Sequence, residues 1–108
     1  MPATLLDIAR RLATTGISAV DPERLVREEL ARREARFDAV LAVGKASAAM
    51  ARGAREALAA MSARGFLPKR LLVRPHSSPA LLDPGWEQRT GGHPLPDRQS
   101  LAAGERLR

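Results

Sequence analysis

The sequence contains no cysteine, only three aromatic residues and no long apolar run. Without cysteine there is no disulfide framework, no thiolate metal site and no cysteine nucleophile. A membrane-spanning helix needs an apolar run of about 20 residues, and none is present, so we expect no membrane partner. These absences predict a cytoplasmic protein whose core is built from aliphatic side chains and alanine.

Acidic residues are fewer than basic residues. The chain of 108 residues carries 18 basic and 12 acidic residues, which gives a net charge of +6. All of the basic residues except Lys45 and Lys69 are arginine. The excess is spread along the chain and is not interleaved with aromatic residues, unlike the clustered pattern typical of nucleic-acid-binding surfaces. We therefore expect no nucleic-acid partner.

Two amphipathic helices are predicted in the N-terminal part. In the first, over residues 4–14, leucine and isoleucine recur every three to four positions on one face, and Gly16 is expected to end it. The second begins at Asp21 and Pro22, because aspartate is a favoured N-cap and proline suits the first helical position.

The pattern then changes to that of a βαβ unit. The apolar run Val40–Val43, closed by Gly44, is typical of a strand that helices cover on both faces. A long helical pattern runs from Ala46 to about Arg64, and Leu71–Val73 forms a second apolar run. A strand, a glycine turn, a helix and a strand in this order predict two parallel strands joined by a right-handed crossover.

The last third of the chain is rich in proline. Trp86–Thr90 is predicted to be a short third strand, whereas the prolines within Gly91–Asp97 exclude a helix or a central strand there. A last helix is expected to begin near Asp97 or Ser100.

So few parallel strands leave an unpaired edge and exposed apolar faces. The predicted fold class is therefore α/β, with an incomplete parallel sheet preceded by N-terminal helices. We expect residues 1–108 to be the N-terminal part of a larger α/β domain, truncated at its C-terminal end. The alternative is a small module that completes itself by forming a homodimer.

The segment Val43-Gly44-Lys45-Ala46-Ser47 lies where the first strand turns into the helix. Ligands bind at the carboxyl ends of strands in open α/β sheets, and the free N–H groups of a helix N-terminus favour phosphate or carboxylate. Gly44 allows close approach of the backbone, and Lys45 adds a mobile positive charge. We predict that Gly44, Lys45, Ala46 and Ser47 bind substrate or phosphate. The alternative is that Gly44 only ends the strand and Lys45 is solvated.

Two more specific nucleotide-binding motifs are excluded, because the segment lacks residues that define them. A P-loop needs glycine where Ala39 stands and serine or threonine where Ala46 stands. The dinucleotide fingerprint G-x-G-x-x-G needs glycine where Ala42 and Ser47 stand. The segment is therefore neither of these motifs.

A second segment, Gly92–Asp97, places a histidine and an aspartate near the ends of a stiff path that contains two prolines. His93 can donate or shuttle a proton, and Asp97 can hold a metal ion through water or cap the following helix. Plain capping is the simpler interpretation, since aspartate is a favoured cap. No zinc site is predicted, because the chain has two histidines and no cysteine.

Together the two segments resemble the glycerate 2-kinase family, whose members have a Rossmann-like N-terminal domain and a Leu-rich C-terminal domain. Ala42–Ala46, followed by the alanine-rich helix, looks like the first N-terminal motif of that family. Gly92–Asp97 with Ser100–Ala103 matches the second. The order and separation of the motifs also agree, and the resemblance covers nearly the whole chain.

The resemblance implies an ATP- and Mg²⁺-dependent kinase that converts D-glycerate to 2-phosphoglycerate in a cleft between two domains. It implies that Lys45 lies in that cleft, and that His93 and Asp97 face it. Lys45 and His93 are then expected to be catalytic, and Asp97 to belong to the residues that bind substrate or phosphate. Whether Lys45 binds the carboxylate of glycerate or the phosphoryl group is left open.

Two alternatives to a kinase remain. Members of the family have carried the older label hydroxypyruvate reductase, an oxidoreductase, although the missing G-x-G-x-x-G argues against that activity. In members of the family the further active-site residues lie beyond the stretch that these 108 residues resemble. The 108 residues alone are therefore expected to be inactive. A non-catalytic, self-associating α/β module is the other alternative.

Overall fold

The computed structural model describes residues 2–33 and 36–108 of the chain. Over these residues helices and strands alternate in the order expected for an α/β fold. The elements are α1 (Leu5–Ala19), α2 (Pro22–Ala31), β1 (Ala39–Val43), α3 (Ser47–Gly53), α4 (Arg55–Ala63), β2 (Lys69–Pro75), β3 (Glu87–Gly91) and α5 (Arg98–Arg106).

The three strands form one parallel sheet in the order β1-β2-β3. In the register of the sheet Leu71 of β2 lies between Leu41 of β1 and Glu87 of β3. The sheet is open, which confirms the predicted α/β class with an incomplete parallel sheet. Because all strands run the same way, their carboxyl ends lie along one edge.

The core lies between β1, β2 and the α3–α4 pair. Its buried members are Ala42, Ala51, Ala54, Leu58, Met61, Leu72 and Trp86. The prediction that helices cover β1 on both faces is wrong: Ala42 is buried, but the side chains of Leu41 and Val43 are 59% and 54% exposed. Ala51 of α3 and Leu58 and Met61 of α4 belong to the cluster that covers the face carrying Ala42, and no described element covers the opposite face.

The predicted single helix from Ala46 to Arg64 is interrupted at Ala54 and forms α3 and α4. Helix α2 approaches closely just before this interruption, since a β-carbon at Gly53 would lie 2.3 Å from the carbonyl oxygen of Glu23. Glycine permits this contact because it has no β-carbon.

The first helix is longer than predicted. Gly16 does not end α1, which continues to Ala19. The guanidinium of Arg24 donates to the carbonyl oxygens of Ser18 (2.9 Å) and Ala19 (3.1 Å), and so satisfies the end of the helix. Of the described helices, none combines the length and apolarity needed to span a bilayer.

Other local predictions are confirmed. Asp21 caps α2 by accepting a hydrogen bond of 3.1 Å from the backbone N–H of Glu23. Gly65 ends α4 with a φ of +86°, and its N–H and that of Phe66 satisfy the last carbonyl groups. The third strand lies one residue beyond the predicted range, and α5 begins directly after Asp97.

Candidate active site

The carboxyl ends of all three strands open onto one cleft of about 270 Å³. The turn at Gly44 follows β1, Arg74 lies near the end of β2, and His93 follows β3. Helix α5 forms the remaining wall. The lining residues are Val43, Gly44, Lys45, Val73, Arg74, Pro75, Gly91, Gly92, His93, Ser100, Ala103, Gly104 and Leu107. The two segments singled out in the sequence therefore contribute to the same cleft.

The turn after β1 depends on Gly44. Its φ of +112° lies in the region that side chains with a β-carbon rarely adopt. Its N–H donates a hydrogen bond of 3.1 Å to the carbonyl oxygen of Val73, which ties the turn to the end of β2. This turn places the exposed side chain of Lys45 on the cleft.

The structure does not bring the other two residues of the first segment to the cleft. Ala46 is exposed but is not part of the lining. Ser47 is fully buried and lies behind the turn, where its N–H donates to the carbonyl oxygen of Gly44 at 3.1 Å. Among the described residues the Ser47 hydroxyl has no hydrogen-bond partner. Of the residues predicted to bind substrate or phosphate, Gly44 and Lys45 line the cleft, whereas Ala46, Ser47 and Asp97 do not.

In the second segment His93 lines the cleft, whereas Asp97 acts as the N-cap of α5. Asp97 accepts a hydrogen bond of 2.9 Å from the N–H of Ser100. The hydroxyl of Ser100 in turn accepts from the N–H groups of Asp97 (3.1 Å) and Gly92 (2.8 Å). This reciprocal capping box joins the loop after β3 to the helix that forms the wall of the cleft.

A histidine that the sequence analysis did not assign completes this arrangement. The Nε2 atom of His76 lies 2.7 Å from Oδ2 of Asp97. The backbone hydrogen bond from Ser100, followed by the hydrogen bond from His76, lowers the pKa of Asp97 from 3.8 to about 2. The carboxylate is therefore ionised at neutral pH, and its oxygens are engaged within the chain.

The described residues do not provide a ligand set for a metal ion. No group of three or more histidine, aspartate or glutamate side chains among them is close enough to hold one. Asp97, the carboxylate nearest the cleft in the second segment, is occupied by Ser100 and His76. The described residues therefore offer no ready-made cluster of carboxylates for Mg²⁺.

Arg74 is the second residue that the sequence analysis did not assign to a site. It is half-buried on the cleft, and one of its terminal N–H groups donates to the carbonyl oxygen of Ser78. The position of Arg74 in the strand order could have indicated its role. Arg74 lies close to the end of β2, and Lys45 follows the end of β1. Because the carboxyl ends of parallel strands lie at one edge of the sheet, the two side chains are expected near each other.

The electrostatic character of the cleft follows from its lining. It contains Lys45, Arg74 and His93 and no aspartate or glutamate. We call it the cationic cleft. Cationic N–H donors in a concave site bind carboxylates and phosphates strongly, because the hydrogen bonds are charge-assisted.

Three larger depressions lie elsewhere. One, of about 430 Å³, lies between α3 and the loop around residues 80–84. Another, of about 480 Å³, is lined almost wholly by aliphatic side chains beside β1. The third, of about 350 Å³, lies between α2 and α4. None of them lies where the three strand ends meet, so the cationic cleft remains the candidate site.

One family model matches the chain, over residues 8–108, and its description is a domain of unknown function, DUF4147. No curated protein and no solved structure matches the chain. The matched stretch contains both segments of the cationic cleft.

Proposed function

The chain belongs to the DUF4147 family, and from the geometry of its cleft we propose that it forms one side of the active site of a glycerate 2-kinase. The observation that carries the proposal is that Val43–Ser47 and Gly92–Asp97 both contribute to the cationic cleft. The same two segments carry the resemblance to glycerate 2-kinases, which act on a carboxylate and a phosphate donor. An anion-binding cleft is what such substrates require.

In the proposed reaction the 2-hydroxyl oxygen of D-glycerate forms a bond to the terminal phosphorus of ATP. The bond from that phosphorus to the bridging oxygen breaks, and the products are 2-phosphoglycerate and ADP. Phosphoryl transfer is catalysed mainly by positioning and by neutralising charge. Lys45 supplies positive charge beside the reacting groups, and the imidazole of His93 accepts the proton of the hydroxyl group.

The proposal assigns no magnesium ligand to this chain, because the described residues lack a suitable cluster. We therefore derive no step through the metal. The proposed setting is the cytoplasm, where ATP is abundant and a chain without cysteine needs no oxidising environment. The proposed partners are small molecules, glycerate and nucleotide, and not nucleic acid.

A second candidate function is a non-catalytic, self-associating module. It is favoured by α1, in which no residue is buried. Leu5, Leu12 and Ile17 are 86%, 69% and 72% exposed, an arrangement that suits contact with another protein surface. A homodimer is the form of self-association proposed.

The test of the proposed function compares two reactions. The chain, and the longer protein encoded by any in-frame downstream sequence, are supplied with ATP and D-glycerate or with NADH and hydroxypyruvate. The proposal predicts glycerate-dependent release of ADP and a ³¹P signal from 2-phosphoglycerate in the longer protein. Oxidation of NADH by hydroxypyruvate without any release of ADP would contradict it and favour the oxidoreductase.

A further inference from the structure

Arg74 has an unused hydrogen-bonding group at the cationic cleft. It lies close to the carboxyl end of the middle strand, and its side chain is half-buried. Its Nε–H group is fully buried and has no hydrogen-bond partner within residues 2–33 and 36–108. A guanidinium carries five N–H donors, and burying one of them without an acceptor costs free energy. Arg24 of α2 also has an Nε–H without a partner among the described residues, but it does not line the cleft. The position of Arg74 on the cleft is therefore what makes it a candidate ligand for an anion.

A neighbouring arginine shows the contrast. On the same strand, Nη1 of Arg70 lies 4.0 Å from Oδ2 of Asp83, so this guanidinium has an internal carboxylate. In the part of the chain that the structure describes, Arg74 takes part in no ion pair, and no acidic side chain lines the cationic cleft. The positive charge near the end of β2 is thus available to an anion from solution.

We propose that Arg74 binds the carboxylate of the substrate, and that Lys45 faces the phosphoryl group. This assignment rests on the proposed function. It answers whether Lys45 binds the carboxylate of glycerate or the phosphoryl group, which the sequence left open. The planar guanidinium matches the two oxygens of a carboxylate, and its hydrogen bond to Ser78 fixes its orientation. The ammonium of Lys45 is a compact charge on a flexible, exposed side chain, which suits a group that is transferred.

The test is a binding experiment on the 108-residue chain, read from the ¹H–¹⁵N signals of the arginine Nε–H groups. The probes are D-glycerate, glycerol and inorganic phosphate. D-glycerate is expected to shift the Nε–H signal of Arg74. Glycerol, which has the same carbon chain but no carboxylate, is expected to leave this signal in place.

Matched variants separate the two cations. Arg74→Gln is expected to weaken binding of D-glycerate by about tenfold or more and that of inorganic phosphate by less than about twofold. Lys45→Gln is expected to have the reverse effect. Arg98→Gln removes an exposed arginine that does not line the cleft, and should change neither affinity. Arg74→Lys keeps the charge but loses the planar fork, and is expected to bind D-glycerate with intermediate affinity.

Three outcomes would overturn the assignment: no binding of D-glycerate by the unaltered chain, an equal loss of both anions in Arg74→Gln, or full affinity in Arg74→Lys. Thermal melting of each variant shows whether it is folded, and Arg74→Lys carries the test if the glutamine variant is not. If D-glycerate binding by the chain depends on Arg74 but neither the chain nor any longer protein that contains it releases ADP in response to glycerate, the carboxylate site is retained and the kinase activity is rejected.

Discussion

At the scale of single residues, Asp97 shows how one side chain serves structure and site together. It accepts hydrogen bonds from Ser100 and His76, and so joins the end of β2, the loop after β3 and the start of α5. It does not line the cleft itself. Its contribution to function is therefore to hold the wall of the cleft in place.

The low pKa of Asp97 predicts a pH-dependent contribution to stability. Folding lowers this pKa from 3.8 to about 2, so the ionised form is favoured in the folded chain. The stabilisation is fully present above about pH 4 and is lost as the pH falls through about 2. We expect Asp97→Asn to lower the urea midpoint of unfolding at neutral pH, and the difference from the unaltered chain to vanish below about pH 2.

The matched control for this experiment is Asp38→Asn. It removes an exposed carboxylate whose side chain makes no hydrogen bond among the described residues, so the midpoint should change little. A difference between Asp97→Asn and the unaltered chain that is the same at every pH would show that the ionised carboxylate is not what stabilises α5.

At the scale of elements, the contact between α2 and α3 determines how the helical layer is built. We expect Gly53→Ala to lower the free energy of unfolding by about 1–3 kcal/mol, because the added methyl group meets the carbonyl oxygen of Glu23. Gly16→Ala is the matched control, since it makes the same change inside α1 where nothing lies within 4 Å. It should be neutral or stabilise by up to about 1 kcal/mol.

Denaturant unfolding followed by circular dichroism measures both changes. If the two variants lose the same stability, helix propensity and not the close approach of α2 would account for the effect of Gly53.

The elements that the sequence predicts correctly are those determined by local signals. The aspartates at 21 and 97 indicate helix starts, Gly65 indicates a helix end, and the apolar runs indicate β1 and β2. The close contact of α2 at Gly53, next to the break at Ala54, and the exposed face of β1 both depend on which elements pack together. Neither is contained in the local pattern.

The residues of the candidate site also fall into two groups, those that a local motif predicts and those whose position depends on the fold. Gly44, Lys45 and His93 were predicted because each stands in a short motif at a strand end, and they do line the cleft. Arg74 and His76 stand in no motif, and their partners are 4 and 21 residues away in the sequence. Ser47 was predicted at the site from its position in the motif, but the direction of its side chain depends on how α3 packs.

At the scale of the whole molecule, the exposed apolar surface is the leading feature. The radius of gyration is 17.3 Å, compared with about 13 Å for a compact domain of about 100 residues. Helix α1 contributes no buried residue. Elongation and an exposed aliphatic stripe together predict self-association of the isolated chain.

Sedimentation velocity tests this prediction. The unaltered chain is expected to sediment faster than a monomer, and the double variant Leu12→Gln and Ile17→Gln to sediment as a monomer, because it removes apolar surface from α1. Thr14→Gln, on the same helix, is the control and should behave like the unaltered chain. A monomer at all concentrations for the unaltered chain would contradict the prediction.

The central claim, that the cationic cleft binds a phosphate-bearing substrate through Lys45, is tested most directly with the two lysines of the chain. Lys45 follows β1 on the cleft, whereas Lys69 is exposed at the opposite, amino end of β2. The measurement is glycerate-dependent release of ADP by the chain and by any longer protein that contains it. Lys45→Ala should lower the rate by about a hundredfold or more, and Lys69→Ala should leave it within about twofold. Equal rates for the two variants would contradict the account.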